Sequence, residues 1–415
     1  MNVFTKLNPS VRRDLLVLFV AGLLFWSGLA SHLPTLPLYI ESLGATPQTV
    51  GIVMGCFAVG LLASREWMAR LADSRGRKIV LLIGMAAVTL APIGYVIANS
   101  IPLLMGIRAF HGISIAAFAL AYSALVIDLS PPQHRGELIG YMSLVNPIGM
   151  ALGPAFGGLL YEGLGFSLTF LLTSGLGILG LVCTTQVREP RSEIKPDPSG
   201  KPKQFWQLLL TPRIRIPAIV LLLIGLSFGA LSTFTPLYIR EVGVSLNAGL
   251  FYTATAVTGF AIRFLVGPAS DRYGRGVFIS ISLVLYTLSM LMLWRANSVT
   301  MFLLAGAVEG AAAGTLIPMM AALMADRSQP DERGRTFGLC MVGFDAGIAI
   351  AGPLFGLLAT NSGYRGVFAV CAGLSLLSMV VFLTQSSKDL RHSLQFGLGR
   401  GGDFYAVDFP GQNQE

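Results

Sequence analysis

Gly149-Met150-Ala151-Leu152-Gly153-Pro154-Ala155-Phe156-Gly157-Gly158 lies inside an apolar run of about two dozen residues. A run of that length predicts a membrane-spanning helix, because about 20 residues at 1.5 Å each cross the hydrocarbon core. Four glycines and a proline would weaken a helix in water. Inside a membrane bundle, neighbouring helices satisfy the backbone groups that proline frees. Gly149, Gly153 and Gly157 fall one turn apart and leave one face as bare backbone, so a second helix can approach closely. Pro154 allows a bend. By itself such a face implies only helix packing, but the pattern returns at Gly352-Pro353-Leu354-Phe355-Gly356, about two hundred residues on.

The rest of the chain has the composition this stretch demands. Of its 415 residues, 53% are apolar and 12% charged, too few charges to cover a water-soluble surface. The net charge of +8 does not indicate nucleic acid, because the basic residues sit in short loops between apolar runs. Cys56, Cys183, Cys340 and Cys371 lie within those runs, without metal-site or disulfide spacing, so no metal or cofactor is expected. The first apolar run, from Leu15 past Leu29, is too long for a signal peptide.

Twelve spans are expected, near 15–39, 48–68, 79–98, 102–127, 137–160, 166–187, 216–238, 248–268, 277–294, 300–325, 336–359 and 366–386. They divide the chain into a first bundle (1–187), a hydrophilic linker (188–215), a second bundle (216–387) and a tail (388–415) expected to be disordered. Within the linker, Phe205, Trp206 and Leu208 to Leu210 suggest a short interfacial helix. With the N-terminus inside, Arg240, Arg295 and Arg365 are the only basic residues in the outer loops, which places both termini in the cytoplasm.

The two halves align on each other. Pro37-Leu38-Tyr39-Ile40 recurs as Pro236-Leu237-Tyr238-Ile239. Asp73, Gly76 and Arg77 recur as Asp271, Gly274 and Arg275, and Asp128 and Arg135 as Asp326 and Arg333, all offset by 198 or 199 residues. Six spans separate equivalent positions, so both repeats face the same way and relate by an axis along the membrane normal.

Leu71-Ala72-Asp73-Ser74-Arg75-Gly76-Arg77-Lys78 resembles the signature loop of the major facilitator superfamily. The Gly149–Gly158 stretch resembles the fifth-helix motif of its drug:proton antiporters. Gly28, Pro34 and Pro37 match the Gly-x5-Pro-x-x-Pro of the twelve-helix branch, and Arg108-Ala109-Phe110-His111-Gly112 is similar to its fourth-helix motif. The resemblance implies an all-α membrane protein with two pseudo-symmetric six-helix bundles around a central cavity. It further implies secondary transport of a small molecule, coupled to protons, without cofactor, nucleic acid or obligate protein partner. Three positions depart from the pattern: Ala69 and Ser74 in the loop, and His111 where glutamine is usual. The first span also lacks the acidic residue that well-known members use for proton coupling; His32 is its only group titrating near neutral pH.

Ionisable groups at membrane depth are the candidate site, since each is costly unless paired or hydrated. Glu309 and Asp345 each fall about nine residues into their spans, near the midplane of a core about 30 Å thick. Arg108 and His111 share one face of the fourth span. Glu309 is the repeat equivalent of His111, and Asp345 falls opposite Asn146-Pro147. Glu309, Asp345, His111 and His32 are therefore the proton-coupling candidates, and Arg108, His111, Asn146 and Glu309 the substrate candidates. At the cytoplasmic face, Asp73 is expected to cap a neighbouring helix and pair with Arg77, forming a gate with Gly76, Asp128 and Arg135 that Asp271, Gly274 and Arg275 repeat. Proton-coupled export of small amphiphilic molecules is the favoured function; export of a sugar or other metabolite, or a transporter-like receptor, are the alternatives. An enzyme is not expected, because the chain has no nucleophile–base set and no phosphate-binding glycine loop.

Overall fold

The computed structural model describes residues 2–5, 7–189, 209–329 and 332–407. Among these residues there is no strand. Ten helical stretches are long and apolar enough to cross a membrane. Two of them, Arg135–Gln186 and Arg333–Gln385, are 52 and 53 residues long. At 1.5 Å per residue each is more than twice the thickness of a hydrocarbon core of about 30 Å. Both are broken by a glycine with positive φ, Gly165 at 76° and Gly363 at 68°. Each is therefore long enough for two crossings, the fifth and sixth and the eleventh and twelfth, which brings the spans among the described residues to about twelve.

Local chemistry sets many of the remaining boundaries. Pro9–Ala30 begins with proline in its first turn, and the Asn8 side chain accepts from the Ser10 amide. Thr46 and Ser298 cap Pro47–Arg75 and Val299–Asp326 in the same way. The first span continues from Pro9–Ala30 into His32–Ser42, interrupted at Ser31. Pro34 has no N–H to give to the Ala30 carbonyl, which accounts for the interruption. Gly76 (φ 98°) and Gly274 (φ 87°) join spans two to three and eight to nine, at the turn positions the repeat assigns to them.

The chain forms two compact units. Among the described residues, the first runs from the N-terminal helix to 189 and takes in 232–256 and 352–360; the second comprises 209–231, the described part of 257–351, and 361–407. The core of the first packs Leu15, Leu18 and Phe25 against Val80, Met85, Phe118, Tyr122 and Leu125. Phe25 and Phe118 stack 3.8 Å apart, and the Tyr122 hydroxyl donates to the Met142 carbonyl at 2.9 Å. The core of the second joins Val220, Leu221 and Ile224 to Ile279, Leu283, Leu316, Met320 and Phe382. Trp67, Leu159, Phe264 and Leu265 are among the large apolar side chains left exposed. That is the surface a bilayer covers.

Residues 232–256 and 352–360 join the first unit through close backbone contacts. A Cβ at Gly51 would meet the Gly352 carbonyl, and one at Gly352 the Gly51 carbonyl. A Cβ at Gly249 would meet the Pro154 carbonyl, the same contact one repeat away. Thr253 Oγ1 donates to the Ala151 carbonyl at 3.0 Å, and Arg240 pairs with Glu41.

The expectation of a disordered tail is corrected between 389 and 407. Leu390–Gly397 is a helix whose N-cap Asp389 accepts from the His392 amide at 2.8 Å. That hydrogen bond, and a second with the His392 ring, hold the Asp389 carboxyl below its usual range. A depressed folded value means the cap is intact at neutral pH and is lost only as the pH falls through it. Phe396 is buried against Phe382, and Ser280 Oγ donates to the Gly397 carbonyl at 2.8 Å. The glycine-rich composition concealed a segment anchored by its few apolar and capping residues. Phe205, Trp206 and Leu208 of the suggested interfacial helix lie outside the described residues.

The orientation has a direct test. Cysteines placed at Glu41, Ser298 and Ser362 are expected to react with an impermeant thiol reagent in intact cells, and one at Ser199 only after lysis. Labelling at the Ser199 position in intact cells would invert the topology.

Candidate functional site

The glycine stretch does what its spacing predicted: it presses the fifth span onto the first. A Cβ at Gly149 would touch the Trp26 Cβ, one at Gly153 the Ser27 carbonyl, and one at Gly157 the Ser31 carbonyl. Gly158 faces the Asn247 side chain instead. The second copy is used differently: Gly352 and Gly356 back onto Gly51 and Gln48 of the second span. A leucine at Gly157 would have to push backbone aside, and overpacking of this kind costs about 1–3 kcal/mol or more. Gly157→Leu should therefore lower the melting temperature and folded yield sharply. Gly163→Ala, where a Cβ meets nothing within 4 Å, should leave both within a small margin of wild type.

That packing places His32 against the fourth and sixth spans. Its Nδ1 donates to the Gly28 carbonyl at 2.8 Å, and its Nε2 lies 3.4 Å from Thr173 Oγ1. The ring is 5.5 Å from His111 and 5.8 Å from Tyr95, centroid to centroid. His111, fully buried, holds Nδ1 2.8 Å from the Tyr95 hydroxyl and 3.4 Å from Arg108 Nη1. The Arg108 guanidinium lies 4.4 Å over the Phe57 ring. Three candidates, Arg108, His111 and His32, are thus one cluster in the first unit. Tyr95, Phe57 and Thr173 complete it. No periodicity marks these three, because each is an ordinary residue of an apolar helix until the helices cross.

Glu309 and Asp345 belong to the second unit. Glu309 is fully buried on Val299–Asp326 and interacts with the Tyr286 phenol from Arg275–Arg295. Asp345 is 8% exposed. A tyrosine from the third helix of each half therefore meets the titratable group of the fourth, although Tyr95 and Tyr286 are not repeat equivalents. Asn146 is half-buried, and no hydrogen bond joins it to the other candidates.

The loops at Gly76 and Gly274 correct the expected pairing. Arg77 Nε pairs with Asp128 Oδ2 at 3.4 Å rather than with Asp73, and Arg275 Nε with Asp326 Oδ2 at the same distance. Asp271 also pairs with Arg275, whereas Asp73 and Arg135 are exposed and form no ion pair among the described residues. The helix cap assigned to Asp73 is supplied by Glu189, which accepts from the Arg77 amide at 2.6 Å and the Lys78 amide at 3.3 Å. A carboxylate at a helix N-terminus is favoured by the unpaired amides and the helix dipole. Glu189 was missed because it follows the sixth span by two residues, over a hundred positions from the helix it caps. Gly76 is required here twice over: its φ is positive, and a Cβ would stand 2.7 Å from the Glu189 carboxylate.

Twelve spans in two sequence-related halves, buried ionisable groups within the spans and ion-paired glycine loops between them define a polytopic membrane transporter. The chain belongs to the Major Facilitator Superfamily, whose family model matches residues 18–275 and 246–400. It is similar to the Multidrug resistance protein MdtG of Escherichia coli, with 27% identity over 388 residues, 89% of this chain and 93% of that protein. Among solved structures it resembles the nucleoside transporter NupG, with a TM-score of 0.73 and 14% identity over 89% of this chain and 98% of that one. It also resembles a bacterial homolog of the human lysosomal transporter Spinster in an inward-facing conformation, with a TM-score of 0.71 and 16% identity over 95% and 97% of the two chains. At such identities these structures establish the fold alone. The family is one of transporters and not of enzymes.

Proposed function

We propose that this protein exports small amphiphilic or drug-like molecules in exchange for protons, by alternating access, in the plasma membrane (the inner membrane if its source is a bacterium) with both termini in the cytoplasm. The observation that carries the export reading is the similarity to MdtG along nearly the whole of both chains. Proton coupling rests on Glu309, an acidic side chain fully buried on the tenth span. A carboxylate at that depth is costly to leave charged and unpaired, so alternating between a bound proton and a cation is a natural cycle for it. The paired loops at Arg77–Asp128 and Arg275–Asp326 are the candidate cytoplasmic gate, each bracing the third helix of its half against the fourth. Uptake of labelled amphiphiles into inside-out vesicles, driven by an imposed pH gradient, tests the proposal. Downhill movement that ignores the gradient would remove proton coupling, and no movement of any amphiphile would remove the export reading.

A further inference from the structure

We propose that Arg108, His111 and Tyr95 form a binding site for an anionic head group, a carboxylate, phosphonate or sulfonate, carried by an amphiphilic substrate. The inference deepens the export reading and rests on it.

Spans one to six carry no Asp or Glu in residues 15–40, 47–65, 79–127, 138–161 or 163–188. Arg108 is nevertheless 93% buried among them, and arginine does not lose its proton in proteins. Its neighbours are the His111 ring, the Tyr95 hydroxyl and the Phe57 face. None carries a negative charge. Within the first unit, among the described residues, no carboxylate lies at ion-pair distance from it.

Hydrogen-bond polarity adds a second, independent observation. Arg108 can only donate, so His111 Nδ1, which faces both Arg108 Nη1 and the Tyr95 hydroxyl, must accept. The ring proton of a neutral His111 then sits on Nε2. His111 Nε2 and Arg108 Nε are buried donors without an acceptor among the described residues. Native proteins rarely leave such donors unmet. His32 does not relieve the demand, because its Nδ1 proton is given to the Gly28 carbonyl. The cluster is thus fixed, positive and short of acceptors.

An anion supplies what is missing. The Nε edge of a guanidinium matches a carboxylate or phosphonate in a charge-assisted, forked geometry. The surroundings suit the apolar part of such a molecule: Tyr39 packs on Phe166 and Phe170 at 5.3 and 5.2 Å beside the cluster, and Tyr39 and Phe57 are partly exposed. An organic cation would meet Arg108 without a counter-charge.

The test uses the full chain in lipid nanodiscs and four probes that differ only in head group: 2-naphthoate, 2-naphthylphosphonate, 2-naphthamide and 2-naphthylmethylammonium. Wild-type protein should bind both anions at least about tenfold more tightly than the amide, the scale of one charge-assisted hydrogen bond, and should bind the ammonium worst. Arg108→Ala should erase that preference. Arg108→Lys, which keeps the charge but not the fork, should retain part of it, and the wild-type ranking needs no variant to fold. Equal affinity for all four probes, failure to bind either anion, or an anion preference that survives Arg108→Ala in monodisperse protein would overturn the site. Proton-driven export of the ammonium with the anions ignored would sink the anion site and leave the export reading standing. Tight anion binding without gradient-driven export would do the reverse.

Discussion

Glu309→Gln is expected to abolish efflux driven by a pH gradient while leaving substrate binding and downhill exchange in place. Glutamine keeps the shape and hydrogen-bonding reach of a protonated glutamate but cannot release a proton. The substitution therefore freezes one half of an exchange cycle without opening a cavity. Glu309 is completely buried beside Tyr286, so its neutral isostere should fold normally. Purified protein in proteoliposomes separates the two activities: an imposed pH gradient reads coupling, and counterflow at equal pH reads exchange. Asp345→Asn, by contrast, is expected mainly to lower the amount of folded protein. Full gradient-driven transport by Glu309→Gln would pass the coupling role to Asp345, His111 or His32, or end the proton-coupled reading.

Arg327→Met should release the tail and destabilise the second unit. Arg327 is fully buried, and its guanidinium forms a two-pronged pair with Asp403 at 2.6 and 2.9 Å. It also donates to the Arg213 and Ser386 carbonyls, both at 2.9 Å. Tyr405 covers it at 5.1 Å. Removing one member of such a pair strands the other; Asp403, whose side chain is 9% exposed, would have to escape to water. Breaking a buried pair in this way costs about 3–5 kcal/mol. Limited proteolysis should then cut between 389 and 407, where wild type resists, and the melting temperature should fall. Asp403→Asn should reproduce the proteolysis. A tail that remains protected in Arg327→Met would show that Phe396 and the Asp389 cap hold it without the clamp.

Much of the fold was legible because its signals are one-dimensional. Apolar runs fix the spans, whereas Gly165 and Gly363 became recognisable as the breaks between closely joined spans only through their backbone conformation. Gly149, Gly153 and Gly157 announce a close helix contact whose partner, the first span, the spacing alone does not name. The site was legible only as a set of residues at the right depth. Arg108, His111 and His32 could be chosen by cost of burial, and the first two by their shared helix face, but the meeting of His32 with them could not.

The sequence by itself determined the apolar spans, a twofold internal repeat, an unequal division of basic residues among the loops, and a set of ionisable groups within the spans. Each follows from hydropathy, spacing or charge along the chain. The tertiary structure alone decided which partners those groups take: Arg77 to Asp128 rather than Asp73, Glu189 to the third helix, Tyr95 to His111, Tyr286 to Glu309, and Asp403 to Arg327. Those choices depend on the rotation and crossing of helices from distant parts of the chain, and no local pattern records how far a helix is turned about its own axis.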